Sequence, residues 1–201
     1  GPGLEPLSGQ LDHGTRRRFE SVFDKVGIDT IPDHHRLEDY RLLELLETTD
    51  VYQDYLAEHA STGVVRRARV FRIEKEATDA ELARIQEAAR RTYDLLAPLD
   101  HDGILPVVDH LGLEQRPTVF FEHPPEAVRL DHFMARRRRI SPSTRFAILE
   151  QVAEAVRYAR EHMVIHRTIN PRSILVAPSE GDEPPGVRLF NWHTWRESER
   201  A

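Results

Sequence analysis

Apolar residues recur at spacings of three and four along three stretches of the chain, and each predicts a helix with one buried face. The longest spans 142–162, with Phe146, Leu149, Val152, Val156, Ala159 and Met163 as its expected apolar stripe. Ser141 before Pro142 supplies an N-cap and a first-turn proline. A second helix starts at Thr78, whose spacing to Glu81 is that of a capping box, and carries Leu82, Ile85, Ala89 and Leu96. The third, Thr15 to Val26, is shorter and gathers Phe19, Val22, Phe23 and Val26; it is expected to pack against the body of the protein. Pro178 to Gly186, rich in Pro, Gly, Asp and Glu, reads as an exposed hairpin loop.

The run that follows the longest helix, from His162 to Val176, carries the most chemical information. It resembles the catalytic loop of the protein kinases, H-R-D-x-x-x-x-N, with His166 and Arg167 retained, Thr168 at the Asp and Ser173 at the Asn. Gly186 to His193 resembles the strand that leads into D-F-G, with Asn191, Trp192 and His193 in those three places. Upstream, strands beginning at Tyr40 and ending at His59 resemble the pair that flanks the Gly-rich loop. Counting back from Tyr55 puts Glu47, Thr49 and Tyr52 at the glycines and Asp54 at the valine. Thr62 to Ile73 resembles the V-A-I-K strand, with Arg69 at the Lys. Leu99 to Ile104 resembles the family's L-x-H-p-n-I turn, which places Thr92 where the Lys-pairing Glu belongs and Glu87 about a turn away. Glu122-His123-Pro124 resembles the connector that holds adenine.

The resemblance runs from Tyr40 to Trp192 and implies an α+β fold of protein kinase type. That fold has an antiparallel small-lobe sheet, one helix beside it and a curtailed, mainly helical large lobe. Residues 1–39 would then be an N-terminal extension, 40–122 the small lobe and 123–201 a partial large lobe. Gly1-Pro2 is read as a protease scar from a tag.

The departures bear on chemistry. A glycine lets backbone approach a phosphate closely, whereas Glu47 and Asp50 would set negative charge against a polyanion. Thr168 keeps its proton and cannot act as a general base, a role worth about 10² to 10⁴ in rate. Ser173 and Asn191 offer neutral oxygens in place of two magnesium anchors. Arg69 is a planar fork in place of a point charge. The resemblance, read with these losses, implies a degenerate kinase: no catalytic residue, no metal site and no cofactor, with ATP bound without magnesium as the alternative. An atypical phosphotransferase using Arg69 and Asn191 is the third reading.

Composition narrows the partners. With 28 basic and 34 acidic residues the formal charge is −6, which gives no general attraction to nucleic acid or anionic membrane. The basic runs Arg16-Arg17-Arg18 and Arg136-Arg137-Arg138-Arg139 lack interleaved aromatics and read as solvated surface. Absence of cysteine excludes disulfides and suits a cytoplasmic home. No apolar run reaches the roughly 18 residues of a membrane span. His34-His35 and the His162/His166 pair lack a metal-binding pattern, and Trp192 and Trp195 read as core or interface anchors. The expectation is an interaction or regulatory module of a larger bacterial protein, with another protein or domain of the same chain as partner, or a second copy. In residue style it is similar to bacterial Ser/Thr kinases and to the kinase-like proteins of phage growth limitation and related antiphage systems.

Overall fold

The computed structural model describes residues 36–192 apart from 75, 113–115, 138 and 180–182. The helix expected at Thr15 to Val26, the pair His34-His35 and Trp195 lie outside the described residues. Six strands form one antiparallel sheet in the order β1-β2-β3-β4-β6-β5: β1 (Arg36–Leu37), β2 (Tyr40–Thr48), β3 (Tyr52–His59), β4 (Val65–Phe71), β5 (Val107–Leu111) and β6 (Thr118–Glu122). The sheet thus begins at Arg36, four residues before the boundary read from the sequence, and Leu37 is fully buried in it. Helix α1 (Asp79–Leu96) lies against β5 and β6. Thr78 caps it as the spacing predicts: its hydroxyl accepts from the Glu81 N–H while the Glu81 carboxylate accepts from the Thr78 N–H.

The second half holds β7 (Val128–Arg129), α2 (Leu130–Arg136), α3 (Pro142–Glu161), a 3-10 turn over Pro171–Ser173, β8 (Ile174–Ala177) and β9 (Gly186–Leu189). Strands β7, β8 and β9 make a small antiparallel sheet. One core runs through both halves, from Phe71, Leu96 and Phe121 to Ile148, Leu175, Leu189 and Trp192. A second cluster, Leu37, Leu42, Tyr55, Ala57, Ala68, Val70 and Phe120, lies within the six-stranded sheet. The two-lobed α+β expectation holds.

The stripe expected on α3 holds only in part: Val152, Val156 and Ala159 face the core, and Phe146, Leu149 and Met163 do not. Ile148, Ala155 and Ala159 are its buried residues, with Val152 and Val156 packed at the edge of the core. Phe146 is 73% exposed, Leu149 63% and Met163 88%. The helix bears two apolar stripes, and spacing alone does not say which one faces the core. Small residues mark the packed face, because they let α3 approach its neighbours. A Cβ built on Gly103 would stand 2.9 Å from the Ala155 Cβ. The other stripe continues past the helix end into Ile165, 67% exposed, and Ile169, 45% exposed.

Gly103→Ala tests this packing. An alanine here recovers about 0.4–1 kcal/mol of chain entropy, but overpacking of a tight core contact costs about 1–3 kcal/mol. The expected result is a net loss, seen as a lower denaturation midpoint in urea with an unchanged slope.

Candidate functional site

Between the two lobes, the β3–β4 pairing sets Asp54 opposite Arg69, and the alternation along β4 puts Arg67 on the same face. Asp54 is fully buried, and both arginines grip it with two nitrogens. Arg69 donates from Nε to Oδ1 at 2.8 Å and from Nη2 to Oδ2 at 2.8 Å. Arg67 donates from Nε and Nη2 to Oδ2 at 2.9 and 2.7 Å. Burial pushes the Asp54 carboxyl up, but the Arg69 and Arg67 charges and hydrogen bonds outweigh it and hold the group below its ordinary value of 3.8. Burial likewise works against the charge on Arg69, and Asp54 more than offsets it, so that group is held further from deprotonation than usual. Aromatic faces close the cluster: Tyr52 lies 3.8 Å from the Arg69 guanidinium and Phe190 4.6 Å from that of Arg67.

A second carboxylate ties the lobes together. Glu47 Oε1 accepts from Arg129 Nη1 at 3.1 Å and from Arg172 Nη2 at 2.5 Å, while its Oε2 lies 3.8 Å from Arg67 Nη2. Glu47, expected to set its charge against a polyanion, is instead surrounded by three arginines, and its side chain is 8% exposed. The turn that carries it is short. Thr49 closes it by accepting the Val51 and Tyr52 N–H groups on its hydroxyl, so Tyr52 is the first residue of β3 and not a loop residue. Asp50 is exposed on that turn.

The catalytic-loop frame is present with its polar groups turned to other tasks. His166 is buried and its Nε2 lies 2.8 Å from the Phe190 carbonyl oxygen, with Trp192 packed on its ring at 4.6 Å. Arg167 and Asn191 sit at φ 65° and 58°, left-handed backbone that non-glycine residues rarely adopt and that clusters at functional sites. Asn191 Oδ1 accepts from Arg69 Nη2, and its Nδ2 reaches the Arg172 carbonyl at 3.4 Å. Ser173 is buried, but its hydroxyl is bound within its own turn, donating to the Asn170 carbonyl and accepting the Asn170 N–H. Thr168 is exposed, with its N–H on the His166 carbonyl. Ser173 and Asn191 are thus neighbours, since the Phe190 N–H donates to the Ser173 carbonyl at 3.0 Å.

Thr92 is buried on α1 and donates to the Ala88 carbonyl at 2.8 Å. The carboxylate partner of Arg69 comes from β3 and not from the helix. Glu87 pairs with Arg90 on the surface, so a one-turn shift does not supply a partner either. At the connector, Glu122 pairs with Arg188 at 3.2 Å, and burial followed by the nearby Arg67 charge holds His123 below the usual imidazole value. Pro124 accepts the Ala127 N–H, closing the turn after β6.

Sequence reading found Glu47, Asp54, Arg69 and Asn191 but gave no role to Arg67, Arg129 or Arg172. A signal existed for Arg67: alternation along Arg66-Arg67-Ala68-Arg69 puts Arg67 and Arg69 on one face, where an unpaired charge would be costly. Nothing local marks Arg129 or Arg172, whose roles depend on how the lobes meet. Arg136, Arg137 and Arg139 are exposed, as expected of a solvated run. Among the described residues no cluster of His, Asp and Glu has the arrangement of a metal site, and no helix is long and apolar enough to cross a membrane.

Comparison with known proteins agrees with this fold. The profile described as protein tyrosine and serine/threonine kinase matches residues 49–181. The chain is 26% identical over 167 residues to the probable kinase PglW of Streptomyces coelicolor, which covers 81% of this chain and 11% of that protein. It is 26% identical over 137 residues to the serine/threonine-protein kinase PrkC of Bacillus subtilis, covering 68% of this chain and 20% of the relative. The chain therefore spans a small part of these relatives. Its fold matches that of the PknI kinase domain of Mycobacterium tuberculosis at a TM-score of 0.57 and 21% identity, over 81% of this chain and 62% of the other.

Removing Asp54 should be costly, because two buried guanidiniums lose their counterion. Asp54→Ala is expected to lose about 3–5 kcal/mol in chemical denaturation. The folded-state pKa of Asp54 lies below its unfolded value, so its contribution is present above 3.8 and is lost as pH falls through the depressed folded value. The native protein should therefore lose stability on acidification below about pH 4, and Asp54→Asn should flatten that part of the profile.

Proposed function

Since the chain belongs to the protein tyrosine and serine/threonine kinase family and is related to bacterial Ser/Thr kinases, we propose that it is a catalytically silent, nucleotide-free member of that family. On this reading it works as a binding or regulatory module within a larger bacterial protein. One observation carries the reading: Asp54, Arg67, Arg69 and Glu47 of the small-lobe strands are bound together by ion pairs, and the cluster reaches Arg129, Arg172 and Asn191 of the second half. A nucleotide would have to displace a buried carboxylate held by four charge-assisted hydrogen bonds.

The donor set is a poor fit for a divalent cation. Asn191 offers a neutral oxygen already held by the Arg69 guanidinium, and the Ser173 hydroxyl is committed to its own turn. A dication about 4 Å from that guanidinium would face a repulsion of roughly 8 kcal/mol at an effective dielectric of 20. Thr168 supplies no base, so no step of phosphoryl transfer has its proton acceptor.

The binding side of the proposal rests on exposed apolar side chains: Phe146 and Leu149 on α3, with Met163, Ile165 and Ile169 beyond its end, account for five of the eight large apolar side chains exposed on the described part. Exposed apolar surface of this kind favours contact with another protein. The likeness to PglW supports a place among the kinase-like proteins of phage growth limitation.

A thermal-shift titration with ATP, with and without magnesium, tests the first half. A filled cleft gives no change in melting temperature at any ligand level. Binding would add RT ln(1 + [L]/Kd), about 2.7 kcal/mol at a hundredfold excess over Kd. A shift that grows with ATP and survives Asn191→Ala would overturn the nucleotide-free reading, and transfer of γ-phosphate to any protein substrate would overturn the silent one.

A further inference from the structure

The outward face of α3 is complementary to itself. Phe146, Leu149, Ala153 and Arg160 follow one another at steps of three, four and seven residues, which keep to one side of a helix, and all four are exposed. Glu150 and Arg157 are exposed along the edge of the same face, with Ala153 midway between them. The helix has 20 residues and is therefore about 30 Å long.

The two ends of this face carry opposite halves of a contact. Toward the N-terminus stand the Phe146 ring, Leu149 and Glu150, and the Glu150 carboxylate forms no ion pair with any described residue. Toward the C-terminus stand Arg157, which holds Glu154 and Glu161 while facing water, and Arg160, which has no ion-pair partner among the described residues. An aromatic face attracts a guanidinium, and a lone carboxylate attracts an arginine. Each end thus offers what the other lacks.

We propose that this face binds the same face of a second copy, with the two α3 helices antiparallel about a two-fold axis near Ala153. Turning one helix end over end sets Glu150 of each copy beside Arg157 of the other and lays each Arg160 on Phe146 of the other copy. An isologous contact requires a patch that fits itself, and here acid meets base and ring meets guanidinium twice over. A parallel pair would set Arg160 against Arg160 and hold Glu150 and Arg157 about 10 Å apart along the axis. At the axis, Ala153 has the small side chain that lets two helices approach to about 8–10 Å. A contact confined to one helix face belongs to the small, transient class of interfaces, so the pairing is reversible. It names the partner of the binding module and rests on that reading, but it does not depend on whether the cleft between the lobes admits a nucleotide.

Sedimentation equilibrium of the full chain should show a monomer–dimer equilibrium. Glu150→Arg should weaken it about tenfold, the effect of two symmetry-related exposed pairs made repulsive. Adding Arg157→Glu should recover most of that loss, and Phe146→Ser should weaken the dimer on its own, with circular dichroism confirming the fold of each variant. The chain has no cysteine, so trapping reads the orientation. On oxidation Ala153→Cys should give a disulfide-linked dimer, whereas Ser143→Cys, about 30 Å from its counterpart in an antiparallel pair, should not. Three results would overturn the pairing: a strict monomer at every concentration, a dimer indifferent to both Glu150→Arg and Phe146→Ser, or linkage through 143 as fast as through 153. A strict monomer whose Phe146 face holds a different protein would end the self-pairing and leave the binding-module reading in place. A dimer with these properties in a chain that also binds ATP would keep the pairing and end the nucleotide-free reading.

Discussion

A single carboxylate with no exposure to water, shared by two guanidiniums, fixes the arrangement of everything near it. Asp54 keeps Arg67 and Arg69 charged inside the protein, and those two in turn reach Glu47 and Asn191. The energetics are asymmetric. Breaking such a cluster at one member is expensive, whereas replacing all of it by well-packed apolar side chains is often neutral or stabilising. Stability alone is therefore a weak reason for its presence. Its more telling property is position, at the place where the two halves of the chain meet.

The same cluster turns two lobes into one body. Arg129 and Arg172, from the second half of the chain, both end on Glu47 of β2, and Arg69 of β4 ends on Asn191 after β9. His166 adds a buried strut to the Phe190 carbonyl, and the core itself is continuous from Phe71 to Trp192. Left-handed backbone at Arg167 and Asn191 persists under this bracing.

Much of this was legible in the residues themselves. Motif order from Tyr40 to Trp192 gave the fold, and the caps at Thr78 and Ser141 gave the starts of two helices. The degenerate positions Thr168, Ser173 and Asn191 fell around the expected loop. Two things were hidden for physical reasons. Helical period marks apolar faces but does not rank them, so Phe146, Leu149 and Met163 were read as core along with Ala159, and Ile148 and Ala155 were passed over. Ion pairs between residues more than eighty positions apart, such as Glu47 with Arg129, have no local signature at all. Only the register of β3 on β4 made the first link of the network visible.

Asn191 carries a consequence for the joint between the two halves. An aspartate at that position would set a full negative charge against Arg69 and tighten the link between β4 and the segment after β9. A lysine at 69 would keep the charge but lose the planar fork that binds Asp54 and Asn191 together. Either change acts on the joint between the two halves, and Arg67 keeps its hold on Asp54 throughout.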